Sequence, residues 1–585
     1  MIPSQRLLVY GIPLCVFCLM LTLILFRYSM KTTLQHWVDH PYPSEDVAYQ
    51  FEAQKAKQIR IAYHENNGRK RQDAKSNSKV IVNQDQAAVR PTVGISTDKA
   101  VFSISNTHTV LNMGDIVHFQ IDTLDSKGHQ RHRGGDFWYA TMSTEDRNFR
   151  TSGRFLDHGN GSYSLHFYCG FKGLMNINIT LVYPAETVNW LNEVYRPSER
   201  RVTWKGLFRD GPIGGETTEC VIERDDRTKL DQCKYQDTTV LGQTVLVCDK
   251  PSELSCDHLT YMESKNMDAR VTELLGNKTY LFDKSTLFTP VRSSPDVVSV
   301  SDSERKISHT SLPICGPGIF DNTSITSGYW LDDVWHSMVC RNKQYTVDEV
   351  KHCLKNKNIY FLGDSTIRQL FLALVGSLGY PGEVHIPDQK LLNLTGFSCH
   401  QDHMRMYYAL VRHEKENINM TFRFHGLPIT GRARYRIKEP NPDVLFEQHI
   451  LDNLKTENCN YVILISPWAH YVQWTLVSYS ERLTLLRESL LRLKRRCSNT
   501  VVIVKGSHQR DHRSTDSHIY ASDYILQDMN KLLRDVFHDD WIVFLDVWDM
   551  NLSFLAPWNR PSNVHMPFEV VKEELNFLFS HICHS

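Results

Sequence analysis

The clearest chemistry in the chain lies in two places far apart in sequence. Gly363-Asp364-Ser365 follows the short apolar run Asn358-Ile359-Tyr360-Phe361-Leu362 and precedes a stretch of helical spacing through Leu370, Leu372 and Leu374. A serine between a buried strand and a helix start presents its hydroxyl at a sheet edge. There the N–H groups at the positive end of the helix can hold a developing oxyanion. A hydroxyl is a weak nucleophile at neutral pH, so such a serine needs a base. That base is usually a histidine oriented by a carboxylate. His565 lies in Pro561-Ser562-Asn563-Val564-His565-Met566-Pro567, and a helix can start at Pro567. Asp546 or Asp549, at the end of the preceding strand, is expected to orient His565, and a serine-histidine dyad is the alternative. Asp535 to His538 spells a literal Asp-x-x-His, but it ends a helical segment and reads as a decoy.

Other groups are expected to border the same pocket. Gly363 and Asp364 flank the serine, and Gly426, after His425, can supply an oxyanion donor through its N–H. Arg368 and Gln369 fall on the first helical turn, where Arg368 can pair with Asp364 or contact a substrate. Ser466-Pro467-Trp468-Ala469-His470 ends a strand, with Trp468 either a platform for a sugar ring or a core residue.

These residues need a scaffold, and the second half of the chain spells one. Tyr461-Val462-Ile463-Leu464-Ile465, Val501-Val502-Ile503-Val504 and Trp541-Ile542-Val543-Phe544-Leu545 read as buried strands. Helical segments alternate with them, the clearest placing Leu483, Leu486, Leu490 and Leu493 on one face. Strands alternating with helices imply a parallel sheet covered on both sides, a three-layer α/β domain assigned to 311–585. Ligand sites in such sheets gather at the carboxyl ends of the strands, where Ser365 stands.

Residues 91–310 follow another pattern. Short alternating runs, such as Asp115–Ile121 and Tyr163–Tyr168, are separated by Asp125-Ser126-Lys127-Gly128 and Gly159-Asn160-Gly161. They suggest a small antiparallel sandwich, followed by a segment with Cys220, Cys233, Cys248 and Cys256. No catalytic constellation is found there, and the default role is binding or scaffolding.

The twenty residues Leu7 to Phe26 carry no charge, about the length needed to cross a bilayer core of ~30 Å. Residues 1–30 therefore read as an uncleaved signal anchor that leaves the C-terminal bulk in the lumen, a type II arrangement. Residues 31–90 are polar and read as a stem. Within it, Arg69-Lys70-Arg71 is either a solvated cluster or a cleavage site that would release a secreted form. Acceptors for N-glycans follow at Asn160, Asn178, Asn277, Asn322, Asn393, Asn419 and Asn551. Of 14 cysteines, two lie in the apolar segment, six run from Cys169 to Cys315 and six from Cys340 to Cys583. Even sets suit disulfides closed within domains in an oxidising compartment, with connectivity open. Lys plus Arg and Asp plus Glu balance at 66 each, so no charge excess points to nucleic acid. No zinc-type cysteine spacing, P-loop or dinucleotide fingerprint is present, and no bound cofactor or metal is expected.

Taken together, these motifs resemble the NXPE family, which joins a neurexophilin-like domain to a PC-esterase domain of the SGNH/GDSL type. The resemblance rests on Gly135-Asp136-Phe137-Trp138 and Asn160-Gly161-Ser162-Tyr163, which look like a filamin-type immunoglobulin repeat. It rests also on Phe361 to Gln369, on Trp468-Ala469-His470, and on Asp546-Val547-Trp548-Asp549-Met550 ahead of Asn563-Val564-His565. It implies acyl transfer to or from hydroxyls of secretory or cell-surface glycans, sialic acid among them, in the Golgi lumen. Ser365 would be the nucleophile, His565 the base and acetyl-CoA a candidate donor. The family pattern places an aspartate at 562, where this chain has Ser562. That departure favours the other reading, an inactive glycoprotein acting as a neurexophilin-like ligand of a cell-surface receptor.

Overall fold

The computed structural model describes residues 101–104, 111–125, 127–198, 203–211, 214–224, 231–264, 268–283, 285–291, 296–302, 312–321, 325–379, 384–385, 408–425, 434–436, 446–512, 514–554 and 564–583. The expected anchor and stem, Arg69-Lys70-Arg71, Asn322, Asn393, Gly426 and Ser562 lie outside them. Among the described residues no helix is long and apolar enough to cross a membrane.

The β-rich half is a sandwich, as its alternation implied. Val117, Phe119 and Ile121 on one strand and Tyr163, Leu165 and Phe167 on its antiparallel partner are buried. They face Ala140, Met142, Ile177 and Ile179 of a second, eight-stranded sheet across one core. The turn into the Ser162–Tyr168 strand depends on Gly161, whose φ is +85° and whose place for a Cβ lies 2.1 Å from the Arg131 carbonyl oxygen. The cysteine-rich segment supplies five strands of a third, six-stranded sheet, stapled by Cys220–Cys248 and Cys233–Cys256.

The C-terminal half is the expected α/β layer. Across its sheet the strands run Val384–His385, Tyr408–His413, Ile418–Phe424, Asn358–Gly363, Tyr461–Ser466, Val501–Lys505 and Ile542–Leu545. The last five are parallel, and the first two form an antiparallel edge. Period-two alternation divides four of the five parallel strands between two cores, Ile418–Phe424 being the exception. Ile359, Phe361, Val462 and Leu464 pack with the helices Ser365–Ser377 and Phe568–Ile582. Leu362, Ile463 and Ile465 pack on the other face with the helix Leu476–Arg496, whose leucine stripe is fully buried. The latter core continues without a break into Phe137, Tyr139 and Tyr183 of the sandwich.

This continuity overturns a boundary at 310. The hairpin Gly328–Leu331 and Val334–Ser337 extends the eight-stranded sandwich sheet beside Phe149–Ser152. In return, Arg434–Arg436 forms the edge of the cysteine-rich sheet. Residues 92–585 make up one compact unit. The cysteine sets are not closed either, because Cys315 of the first pairs with Cys340 of the second. Cys353–Cys583 and Cys459–Cys497 complete the described bridges, and Cys169 is a buried thiol.

Asp549 sits at the junction of the halves. Its Oδ2 accepts from Arg154 Nη2 at 2.7 Å and from the Ser327 N–H at 2.8 Å, and Arg154 also pairs with Asp321. Burial alone would raise this carboxyl, but the Arg154 charge and the Ser327 N–H outweigh it and hold the group below the usual carboxylate range. A depressed folded value stabilises the fold fully above the unfolded value of about 4, and the stabilisation is lost as pH falls through the lower, folded value. Asp549→Ala leaves a buried guanidinium facing a single acid, at a cost of about 3–5 kcal/mol. Urea unfolding of the full chain at pH 7 should show that loss, and a change below about 1 kcal/mol would remove the junction from the stability argument.

Candidate active site

The strand Asn358–Gly363 ends on a glycine because nothing larger fits. Gly363 has φ +152°, and a Cβ there would stand 2.8 Å from the Ser466 carbonyl oxygen at the end of the neighbouring strand. Asp364 then caps the helix Ser365–Ser377. Its Oδ1 accepts from the Thr366 N–H at 2.8 Å and the Thr366 hydroxyl at 2.7 Å, and its Oδ2 accepts from the Ala469 N–H at 3.1 Å. Ser365 is the first residue of that helix, partly exposed at the carboxyl edge of the sheet.

His565 reaches the same edge through Gln369, one turn along the serine's own helix. Gln369 Nε2 donates to the Met566 carbonyl oxygen at 2.5 Å, and its Oε1 accepts from the Met566 N–H at 3.3 Å. Both backbone groups of the residue next to His565 are thus pinned to the Ser365 helix. The helix after the histidine begins at Phe568, with Pro567 at its cap position. Asp364, Arg368, His470 and Arg510 all act electrostatically on His565. His470 packs beside His425, with Nδ1 2.7 Å from His425 Nε2, and the His425 N–H donates to the Gly363 carbonyl oxygen at 2.9 Å.

Several expected roles are corrected. Neither Asp546 nor Asp549 orients His565. Asp549 is committed to Arg154 and Ser327, and Asp546 pairs with Arg534 while accepting from the Trp548 N–H at 3.0 Å. Trp468 is buried at 1% exposure, edge-to-face with His508 at 4.9 Å, and offers no face to a sugar. Asn551 is no glycan acceptor in the folded chain, since it is fully buried and its amide donates to Val547 and Glu574. Asn160, Asn178 and Asn277 are exposed, and Asn419 is half-buried in mid-strand. The decoy is a decoy, because Asp535 ends the helix Asp523–Val536 and His538 stacks on Phe320. Sequence reasoning missed Arg510 and the His425 imidazole. The run His508-Gln509-Arg510-Asp511-His512 does follow the carboxyl end of a strand, the place where such a signal could be sought.

Two family models match the chain. Residues 335–583 match the NXPE family member 4-like, C-terminal domain, and residues 71–274 match neurexophilin. The chain belongs to the NXPE family. A solved structure of invasin, a bacterial integrin-binding protein, aligns at 10% identity over 56% of this chain and 59% of that one, with a TM-score of 0.12, too low to carry any argument. The C-terminal match contains Ser365, His565 and every residue placed around them.

In this NXPE site the His565 and His470 imidazoles are both pushed towards the neutral form. Burial is the largest influence on His565, the Arg368 charge adds to it, Asp364 opposes, and Arg510 and His470 push the same way, to about 4. His470 is lowered for similar reasons, by burial first, against Asp364 and with Arg510 and Arg368. His565 therefore stays unprotonated, the form a base requires, down to about pH 4. In NMR titrations of histidine-labelled protein, Arg368→Met and Arg510→Met should each move the His565 midpoint up towards an ordinary imidazole value of about 6.5. Asp364→Asn should move it down. A midpoint unmoved by both arginine variants would show that burial alone sets it.

Proposed function

We propose that this chain is a glycan O-acyltransferase or esterase of the SGNH type acting through Ser365 and His565. The observation that carries the reading is the two-point clasp of Gln369 on Met566, which ties the loop of a neutral histidine to the helix that begins with the serine. Ser365 Oγ attacks the acyl carbonyl carbon as its proton passes to His565. The oxyanion faces the positive end of the Ser365–Ser377 helix. Collapse breaks the bond to the donor's leaving group, which takes the proton from His565 and leaves an ester on Ser365. A sugar hydroxyl then gives its proton to His565 as its oxygen attacks the ester carbon, the bond to Ser365 Oγ breaks, and His565 returns the proton to that oxygen; water in place of the sugar makes the site an esterase. Acetyl-CoA fits as donor because a thiol is a good leaving group. The five bridges suit an oxidising lumen, and we place the protein in the Golgi or a later secretory membrane as type II, or secreted after cleavage in the stem.

A second reading draws on one observation. Both candidate orienting carboxylates are committed to arginines, which fits an inactive glycoprotein that binds a cell-surface receptor. The decisive comparison is the full chain against Ser365→Ala for acetyl transfer from a labelled donor to sialylated and neutral glycans. Loss of at least about a thousandfold in the variant, with equal folding and secretion, is expected of a lost nucleophile. Equal transfer by both, or none by either across several donors and sugars, would favour the receptor ligand.

A further inference from the structure

The outer face of the four-stranded sandwich sheet gathers three histidines that the proposed chemistry does not use. In the strand Ile116–Asp122 the buried Val117, Phe119 and Ile121 take the core side, so His118 and Gln120 stand on the other. In Ser162–Tyr168 the buried Leu165 and Phe167 place Ser164 and His166 on that same outer side. The register sets His118 directly opposite His166. Their rings meet edge to face with centroids 4.3 Å apart, and both residues are only partly buried. The third, His158, is exposed in the turn before Ser162–Tyr168, and its Nε2 stands 2.8 Å from Ser164 Oγ on the same face.

The arrangement suits a metal ion better than it suits a proton. Like groups directly across a strand pair repel once both are charged, and among the described residues no carboxylate pairs with any of the three imidazoles. His166 is held below the usual imidazole range by burial first, then by His118 and His158. It therefore keeps the neutral form that ligates metals. Two imidazoles on one tetrahedral zinc, with Zn–N of about 2.1 Å, hold their ring centres roughly 5 Å apart, so the cross-strand pair need open by less than about 1 Å. Arg154, in register with His166 on its other side, has its charge countered by Asp321 and Asp549.

We infer that His118, His166 and His158 bind a divalent transition-metal ion of the zinc type, with water in the fourth position. Imidazole nitrogens suit zinc and copper(II), whereas magnesium and calcium take oxygen ligands. His158 reaches the ion by turning its exposed ring away from Ser164, which gives up one surface hydrogen bond. The site belongs to the sandwich alone and needs neither Ser365 nor the proposed acyl transfer. Motif spacing does not reveal it, because strand register and a turn bring its ligands together.

The test titrates zinc chloride into the purified, chelator-stripped full chain by calorimetry and follows the histidine ring signals by NMR. In the wild type the His118, His158 and His166 signals should shift together as zinc is taken up, and zinc should raise the melting temperature. His118→Asn, His166→Asn and His158→Gln, each melting as wild type without zinc, should each weaken binding at least about tenfold, since losing merely a ligand's own hydrogen-bonding partner costs that much. His129→Gln, exposed elsewhere on the sandwich, should bind as wild type does. If a variant does not fold, the ring signals of the wild type still decide. No uptake at micromolar zinc, undiminished affinity in any of the three folded variants, or shifts confined to other histidines would overturn the inference.

Discussion

The buried contact of Asp549 with Arg154 and the Ser327 N–H is the constraint on which the rest of the structure depends. A carboxylate and a guanidinium taken out of water are tolerated only with good geometry and further hydrogen bonds. Here the missing partners come from residues far apart in sequence. Arg154 is a strand residue of the sandwich, Asp321 and Ser327 lead into the hairpin that extends the sandwich sheet, and Asp549 opens the helix Trp548–Phe554 of the α/β layer. Beside them, Trp330 Nε1 donates to the Met550 carbonyl oxygen at 2.9 Å. The N-terminal half is therefore no tethered accessory, because its strands complete the α/β core and that core's charges complete the sandwich.

The same junction bears on the chemistry. Asp549 and Asp546 are held by arginines, so neither of them orients His565. The Gln369 clasp holds the residue beside it, and the histidine's charge state is set first by burial, with Arg368 and Arg510 adding to it and Asp364 opposing. A base kept neutral by burial, with nearby cations adding to it, is available but weak. An anionic group entering the site would offset those cations and raise its basicity.

The β half reaches the site by a second route. Phe288 packs against His512 and His518 at ring separations of 5.9 and 5.6 Å, and His512 Nε2 stands 3.3 Å from Asp523. Asp523 in turn accepts from the Arg510 N–H at 3.0 Å. The loop that carries Arg510 to the histidines is thus buttressed by side chains of the sandwich half, which gives that half a structural part in the site without catalytic residues of its own.

What the sequence determined by itself was local. The strand, turn and helix around Ser365, the leucine stripe of Leu476–Arg496, the alternation of the sandwich strands and the helix start after His565 all depend on residues within one or two turns, and were legible for that reason. Ser365 could be named because the elements flanking it are local too, and His565 because the family resemblance implied a base just before the last helix. Tertiary structure decided everything that required knowing which distant group arrives. Asp549 became a junction residue because Arg154 meets it across 395 positions. Asn551 lost its place as a glycan acceptor, and Trp468 its sugar-facing role, because both are buried in the finished fold. Gln369 gained its role from a contact across 197 positions. Spacing along a chain reports which face a side chain takes, but the partner on that face is chosen by the packing of the whole.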